Sequence, residues 1–194
     1  MNRHRTLLLA TVLILAPGLL PSAQAGAPTD QLRADIDRVY ETFQRGTSAA
    51  NQELEAARIL DRMFDWSRMA EAALRNHWAA RTPAERAEFT QLFAQVFRRA
   101  YVTRIHVVDA SKFNYLGDTV DGPRAAVKTQ VFTKKGSAID VDYVLRLAND
   151  QRWRVNDVTI QSMSLVENYR AQFDVVIARS SYEAFVTRLR NLAK

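Results

Sequence analysis

The sequence has 194 residues, 47% of them hydrophobic and 25% charged, with six glycines and five prolines; this is the composition of a globular chain, not of a disordered or collagen-like one. It has no cysteine, which excludes a disulfide framework, a thiolate nucleophile, sulfur-ligated zinc or iron–sulfur sites and a lipidated cysteine. The net charge of +6 comes from basic residues interleaved with acids, so no nucleic-acid partner is expected, and anionic membrane surfaces or acidic proteins suit it better.

Met1 to Arg5 is basic, Thr6 to Leu20 is apolar, and Ala23-Gln24-Ala25 has the A-x-A form. Together they read as a secretory signal peptide over residues 1–25, leaving a single exported domain over 26–194. The apolar run is shorter than the roughly 20 residues a spanning helix needs. Removing Arg3 and Arg5 turns 27 basic residues into 25 against 21 acidic ones, so +6 becomes +4.

After that segment, Pro28-Thr29-Asp30 starts a helix whose face is Leu32, Ile36, Val39, Tyr40 and Phe43, and Gly46 ends it. A second helix is predicted from Ser48 to Met63, and Asp65 caps a third that carries Met69, Ala73 and Leu74. Thr82-Pro83-Ala84-Glu85 combines an N-cap, a proline at the first helical position and a capping-box glutamate. The long helix it opens carries Phe89, Leu92, Phe93, Val96, Phe97, Ala100 and Tyr101 as one stripe.

Near Val107 the hydrophobic period changes from helical to alternating, and four strands follow, at about 112–116, 124–133, 138–147 and 153–160. Asp121-Gly122-Pro123, Lys134-Lys135-Gly136-Ser137 and Asn149-Asp150 are turns of hairpin length, which makes an antiparallel meander. In the third strand Ile139, Val141, Tyr143, Leu145 and Leu147 face inward, opposite Asp140, Asp142 and Arg146. The phase breaks between Val155 and Val158, which predicts a bulge near Asn156-Asp157. A second capping box, Ser164 to Glu167, opens a penultimate helix, and a last helix runs from about Tyr182 to Leu192. Helices, then strands, then helices read as α+β, with helices on one face of a curved four-stranded antiparallel sheet.

Catalytic devices are scarce. His77 and His106, the histidines left after signal removal, have no ligand-spaced partners, and no G-x-S-x-G, G-x-G-x-x-G or P-loop can be written. A buried carboxylate acting as acid or base remains open. Asp140 and Asp142 read as a solvated strand face, while Asp157 is either a structural partner of Arg170 or a catalytic group. Aromatic side chains predominate on the inner surfaces, among them Phe89, Phe113 and Tyr115, and periodicity alone cannot separate a filled core from a lined cavity.

The stretch from Val158 to Phe173, V-T-I-Q-S-M-S-L-V-E-N-Y-R-A-Q-F, resembles the signature of the MlaC family, the toluene-tolerance or ABC-transporter auxiliary proteins that bind phospholipid in the periplasm. Phe64-Asp65, Thr82-Pro83, Glu88-Phe89 with Phe93, Tyr101 and the W-x-V-x-D-V run at Trp153 to Val158 match the same family in order. Two glycines usual in the family are replaced, by Arg75 and by Ser162.

The resemblance implies an NTF2-like-related mixed fold enclosing an apolar lipid cavity, no enzymatic activity and no cofactor, with phospholipid as the carried ligand. It implies a periplasmic monomer shuttling phospholipid between an inner-membrane ABC transporter with an MCE-domain subunit and an outer-membrane lipoprotein–porin complex, which maintains outer-membrane lipid asymmetry. The expected lining is Phe93, Phe97 and Tyr101 from the long helix, Val127, Val131, Ile139, Val141, Tyr143 and Leu145 from the sheet, and Val166, Tyr169 and Phe173 from the penultimate helix. Arg170 has two readings, contact with the lipid phosphate or a structural partnership with a carboxylate. A non-lipid-binding periplasmic adaptor and an NTF2-like pocket enzyme using Asp157 are the alternatives.

Overall fold

The structure, a computed structural model, describes residues 27–105 and 108–193, with the side chains of 27–102 and 113–193. The expected signal segment and His106 lie outside the described residues.

Six helices and five strands follow one another as α1 (Pro28–Gln44), α2 (Ala49–Met63), α3 (Trp66–Leu74), a 3-10 turn (Arg75–His77), α4 (Pro83–Ile105), β1 (Val108–Asp121), β2 (Arg124–Thr133), β3 (Ala138–Leu147), β4 (Trp153–Ile160), β5 (Met163–Ser164), α5 (Leu165–Arg179) and α6 (Tyr182–Leu192). The helix starts obey local chemistry. Ser48, Asp65, Ser164 and Ser181 each accept a backbone N–H from the first turn of their helix. The Thr82–Glu85 box is reciprocal, with the Thr82 N–H donating to Glu85 at 2.7 Å and the Glu85 N–H donating to the Thr82 hydroxyl at 3.3 Å. No described helix is long and apolar enough to cross a membrane.

The strands form one antiparallel sheet in the order β1-β2-β3-β4-β5. Two expectations are corrected here: the sheet has five strands, not four, and β1 is 14 residues long, not five. Alternation failed to reveal the length of β1 because Leu116 is an extra residue against β2, after which inward and outward positions exchange. β5 is only two residues, too short to show a period. The turns match the sequence reading: Asp121 pairs with Arg124 across Gly122-Pro123, and Gly122 has φ +52°, the positive value a type II′ turn needs at its first central position. The expected bulge is present, since Val144 faces Asp157 and Leu145 faces Val155, leaving Asn156 as the extra residue.

One sheet face is buried, through Ala125, Val127, Thr129 and Val131 on β2 and Val141, Tyr143 and Leu145 on β3. Alternate residues such as Lys128, Asp140 and Val144 face outward. α1 crosses the buried face near β1, β2 and β4 and is tied to it by Gln31, whose amide donates to the Trp153 carbonyl at 2.6 Å and accepts its N–H at 3.0 Å. Phe64, in the link from α2 to α3, forms a parallel bridge with Val155, and the next residue donates its N–H to the Val155 carbonyl at 2.9 Å. This pins the centre of the helical layer to β4.

Candidate functional site

The twelve residues expected as a lining belong to one apolar core: nine are buried, and Tyr101, Ile139 and Tyr169 pack against them partly buried. They arrive in two opposing groups. On the helical side, α4 and α5 interleave rings, with Phe93 5.6 Å from Tyr169 and 6.4 Å from Phe173, and Phe97 6.1 Å from Tyr169. Residues four apart on a helix share a face, and that spacing within both α4 and α5 makes the ladder. It continues to Phe89 and Phe185 at one end and to Phe64 and Tyr101 at the other. On the sheet side, Val127 opposes Tyr143, Val131 opposes Ile139 and Ala125 opposes Leu145.

The two groups meet at a polar contact. The Tyr143 and Tyr101 hydroxyls share a hydrogen bond, and burial holds both phenols protonated, pushing Tyr101 up to about 12 and Tyr143 well above its ordinary value. Thr129 is fully buried between Tyr115 and Val141 in register and donates its hydroxyl to the Val141 carbonyl. On the strand beside it, Tyr115 has a buried hydroxyl without a hydrogen-bond partner among the described residues.

Asp157 is a structural residue, and the expected pairing with Arg170 is corrected. Its Oδ1 accepts the Val158 N–H at 2.8 Å and the Val166 N–H at 3.1 Å, and its Oδ2 accepts the Ser164 hydroxyl at 2.5 Å. The carboxylate thereby fastens the β4 bulge to the start of α5, holding two backbone N–H groups and one hydroxyl. Arg170 pairs instead with Glu167, three residues earlier on the same helix, a spacing at which helical side chains meet. It borders a surface groove of about 380 Å³ with Glu71, Arg75 and Trp78. A second groove, of about 520 Å³, lies on the outer side of α4 between Trp66 and Trp78. Neither groove is bordered by any of the twelve.

Both positions where the sequence departs from the expected glycine have left-handed backbone, Arg75 at φ +30° and Ser162 at φ +65°, where glycine alone carries no steric penalty. His77, without a partner at ligand spacing in the sequence, meets Asp174 of α5 at 2.9 Å. Among the described residues no group of three or more histidines and acids could hold a metal ion. Sequence reasoning missed the weight of Phe64, which is buried against Trp66, Phe97 and Tyr101. Its isolated place between two helices gave periodicity nothing to read.

Comparisons with known proteins agree with this architecture. The MlaC protein family profile matches residues 32–191. The solved structure of a phospholipid-binding protein from Ralstonia solanacearum, in complex with a phospholipid, is similar to this chain with a TM-score of 0.62 at 19% identity, over 86% of this chain and 92% of that one. At that identity the likeness speaks for the fold. No curated protein matches the sequence significantly. With most of its length inside the family profile, the chain belongs to the MlaC protein family.

Proposed function

We propose that this protein is a phospholipid carrier of the periplasm, secreted through a cleaved signal peptide over residues 1–25 and folded as a single domain over 26–194. The observation that carries the reading is the apolar layer between the α4–α5 aromatic ladder and the inner face of β2 and β3, in a chain of the MlaC family. Acyl chains take their place in that layer as they do in an NTF2-like cone, against Phe93, Phe97, Tyr101, Tyr169 and Phe173 on one side and Val127, Val131, Val141, Tyr143 and Leu145 on the other. Ile139 and Val166 complete the lining. Arg170 is the candidate for the lipid phosphate, which must compete there with Glu167.

Two acyl chains of roughly 16 carbons, at about 0.8 kcal/mol per CH₂, amount to on the order of 25 kcal/mol of shelter from water. A bilayer offers the same shelter, so a carrier works by matching it with apolar surface, and specific polar chemistry is secondary. The protein passes phospholipid as a monomer between an outer-membrane lipoprotein–porin complex and an inner-membrane ABC transporter with an MCE-domain subunit, in support of outer-membrane asymmetry. It performs no chemistry and needs no cofactor, in keeping with an Asp157 occupied by structural hydrogen bonds.

Native mass spectrometry of protein purified without detergent, followed by lipid extraction, tests the proposal. The expected result is one phospholipid per chain. Protein without lipid that also extracts none from vesicles would overturn the carrier reading in favour of an adaptor with a filled core.

A further inference from the structure

Tyr115 stands on β1 with its ring tilted against Phe113 at 4.9 Å and the Arg33 guanidinium of α1 over its face at 4.3 Å. Its hydroxyl is buried, and it has no hydrogen-bond partner among the described residues. No neighbouring hydroxyl accepts from it: Thr129, its cross-strand partner, bonds to the Val141 carbonyl, and Tyr143 shares a hydrogen bond with Tyr101. A buried O–H without an acceptor is destabilising, and phenylalanine would fill the same space without that cost.

The chemistry of the position defines the missing acceptor. Burial and the nearby Asp37 carboxylate push the Tyr115 phenol well above its ordinary range, so it remains a proton donor under all physiological conditions. The Arg33 cation over the ring draws electron density from it, which strengthens the O–H as a donor. The matching acceptor is neutral, has no proton of its own to donate and sits between the buried Thr129 and the exposed Arg33 and Asp37, where the apolar interior gives way to a polar rim. In a glycerophospholipid that description fits the acyl ester carbonyl, which accepts but cannot donate. The phosphate is charged and hydrated, and the tails have no acceptor at all.

We propose that Tyr115 reads the ester linkage of the carried lipid: its hydroxyl donates to an acyl carbonyl, with Arg33 holding the ring in place, so the site favours ester-linked over ether-linked phospholipid. The inference rests on the phospholipid reading above and deepens it. An ether-linked lipid offers the same tails and head group but no carbonyl, and leaves the Tyr115 hydroxyl unsatisfied.

The test is competitive loading from vesicles with equal amounts of diacyl and dialkyl phosphatidylethanolamine of identical chain length, read as the ratio of the two lipids bound. Wild type is expected to favour the diacyl lipid about five-fold or more, the scale of one buried hydrogen bond. Tyr115→Phe is expected to bring the ratio close to one. The ratio is independent of the total lipid taken up, and the wild-type value requires no variant to fold. Equal loading of both lipids by wild type, or a preference retained in Tyr115→Phe, overturns the ester assignment and leaves the carrier reading in place. Wild type that loads neither lipid overturns both.

Discussion

Tyr101 and Tyr143 join the end of α4 to the middle of β3 through a hydrogen bond in the apolar interior, and this makes stability sensitive to alkali. The Tyr101 pKa is raised from 10.0 to about 12 in the fold, mainly by burial. The stabilisation linked to a raised pKa is complete below the unfolded value and is lost as pH rises through the folded one, because the unfolded chain ionises first. The unfolding free energy is therefore expected to fall between about pH 10 and 12, and Tyr101→Phe to flatten that decline. Denaturant midpoints measured from pH 8 to 12 check this, and an equal slope in the variant would count against the pair as its source. The sequence placed both tyrosines on inner faces through their spacing, but their contact crosses from helix to sheet, and no local pattern encodes it. Arg170 shows the same limit in reverse: its charge named it as a partner for a phosphate or a carboxylate, and only the fold reveals that Glu167 has already claimed it.

Among the elements, local chemistry made most boundaries legible. The capping box at Thr82 and the Ser164 and Asp65 caps mark the starts of α4, α5 and α3 where the sequence placed them. What it hid were elements defined by a partner strand, namely the far half of β1 beyond Leu116, the short β5 and the Phe64 bridge to β4. The bulge at Asn156 was visible as a broken phase, but its purpose was not. It turns Asp157 toward the start of α5, where one carboxylate holds two N–H groups and a hydroxyl. Asp157→Ala strands these donors at the junction of sheet and helix. The expected cost is about 2–4 kcal/mol, or roughly 5–15 °C in melting temperature for a domain of this size. Circular dichroism melts of the variant read it directly. A shift of less than about 2 °C would mean that water replaces the carboxylate and that the clamp carries little of the junction.

At the scale of the whole molecule, the sheet and the helical layer share one apolar interior, the same surface that a lipid would occupy. Ligand and fold are then thermodynamically coupled, because a lipid held between the two layers binds the folded chain and not the unfolded one. Mass action sets the magnitude: lipid at about 100 times its dissociation constant adds about 2.7 kcal/mol. For a chain of this length, at about 2–4 °C per kcal/mol, that corresponds to a rise of roughly 5–10 °C. Protein stripped of lipid by organic extraction and refolding is therefore expected to melt that much lower than protein purified with its lipid, and to recover on exposure to phospholipid vesicles. Calorimetry of the three preparations distinguishes a carried ligand from a filled core. In a filled core the aromatic ladder already has its final neighbours, so the three melting temperatures would coincide, whereas in a carrier the ladder and the sheet gain part of their packing from the cargo.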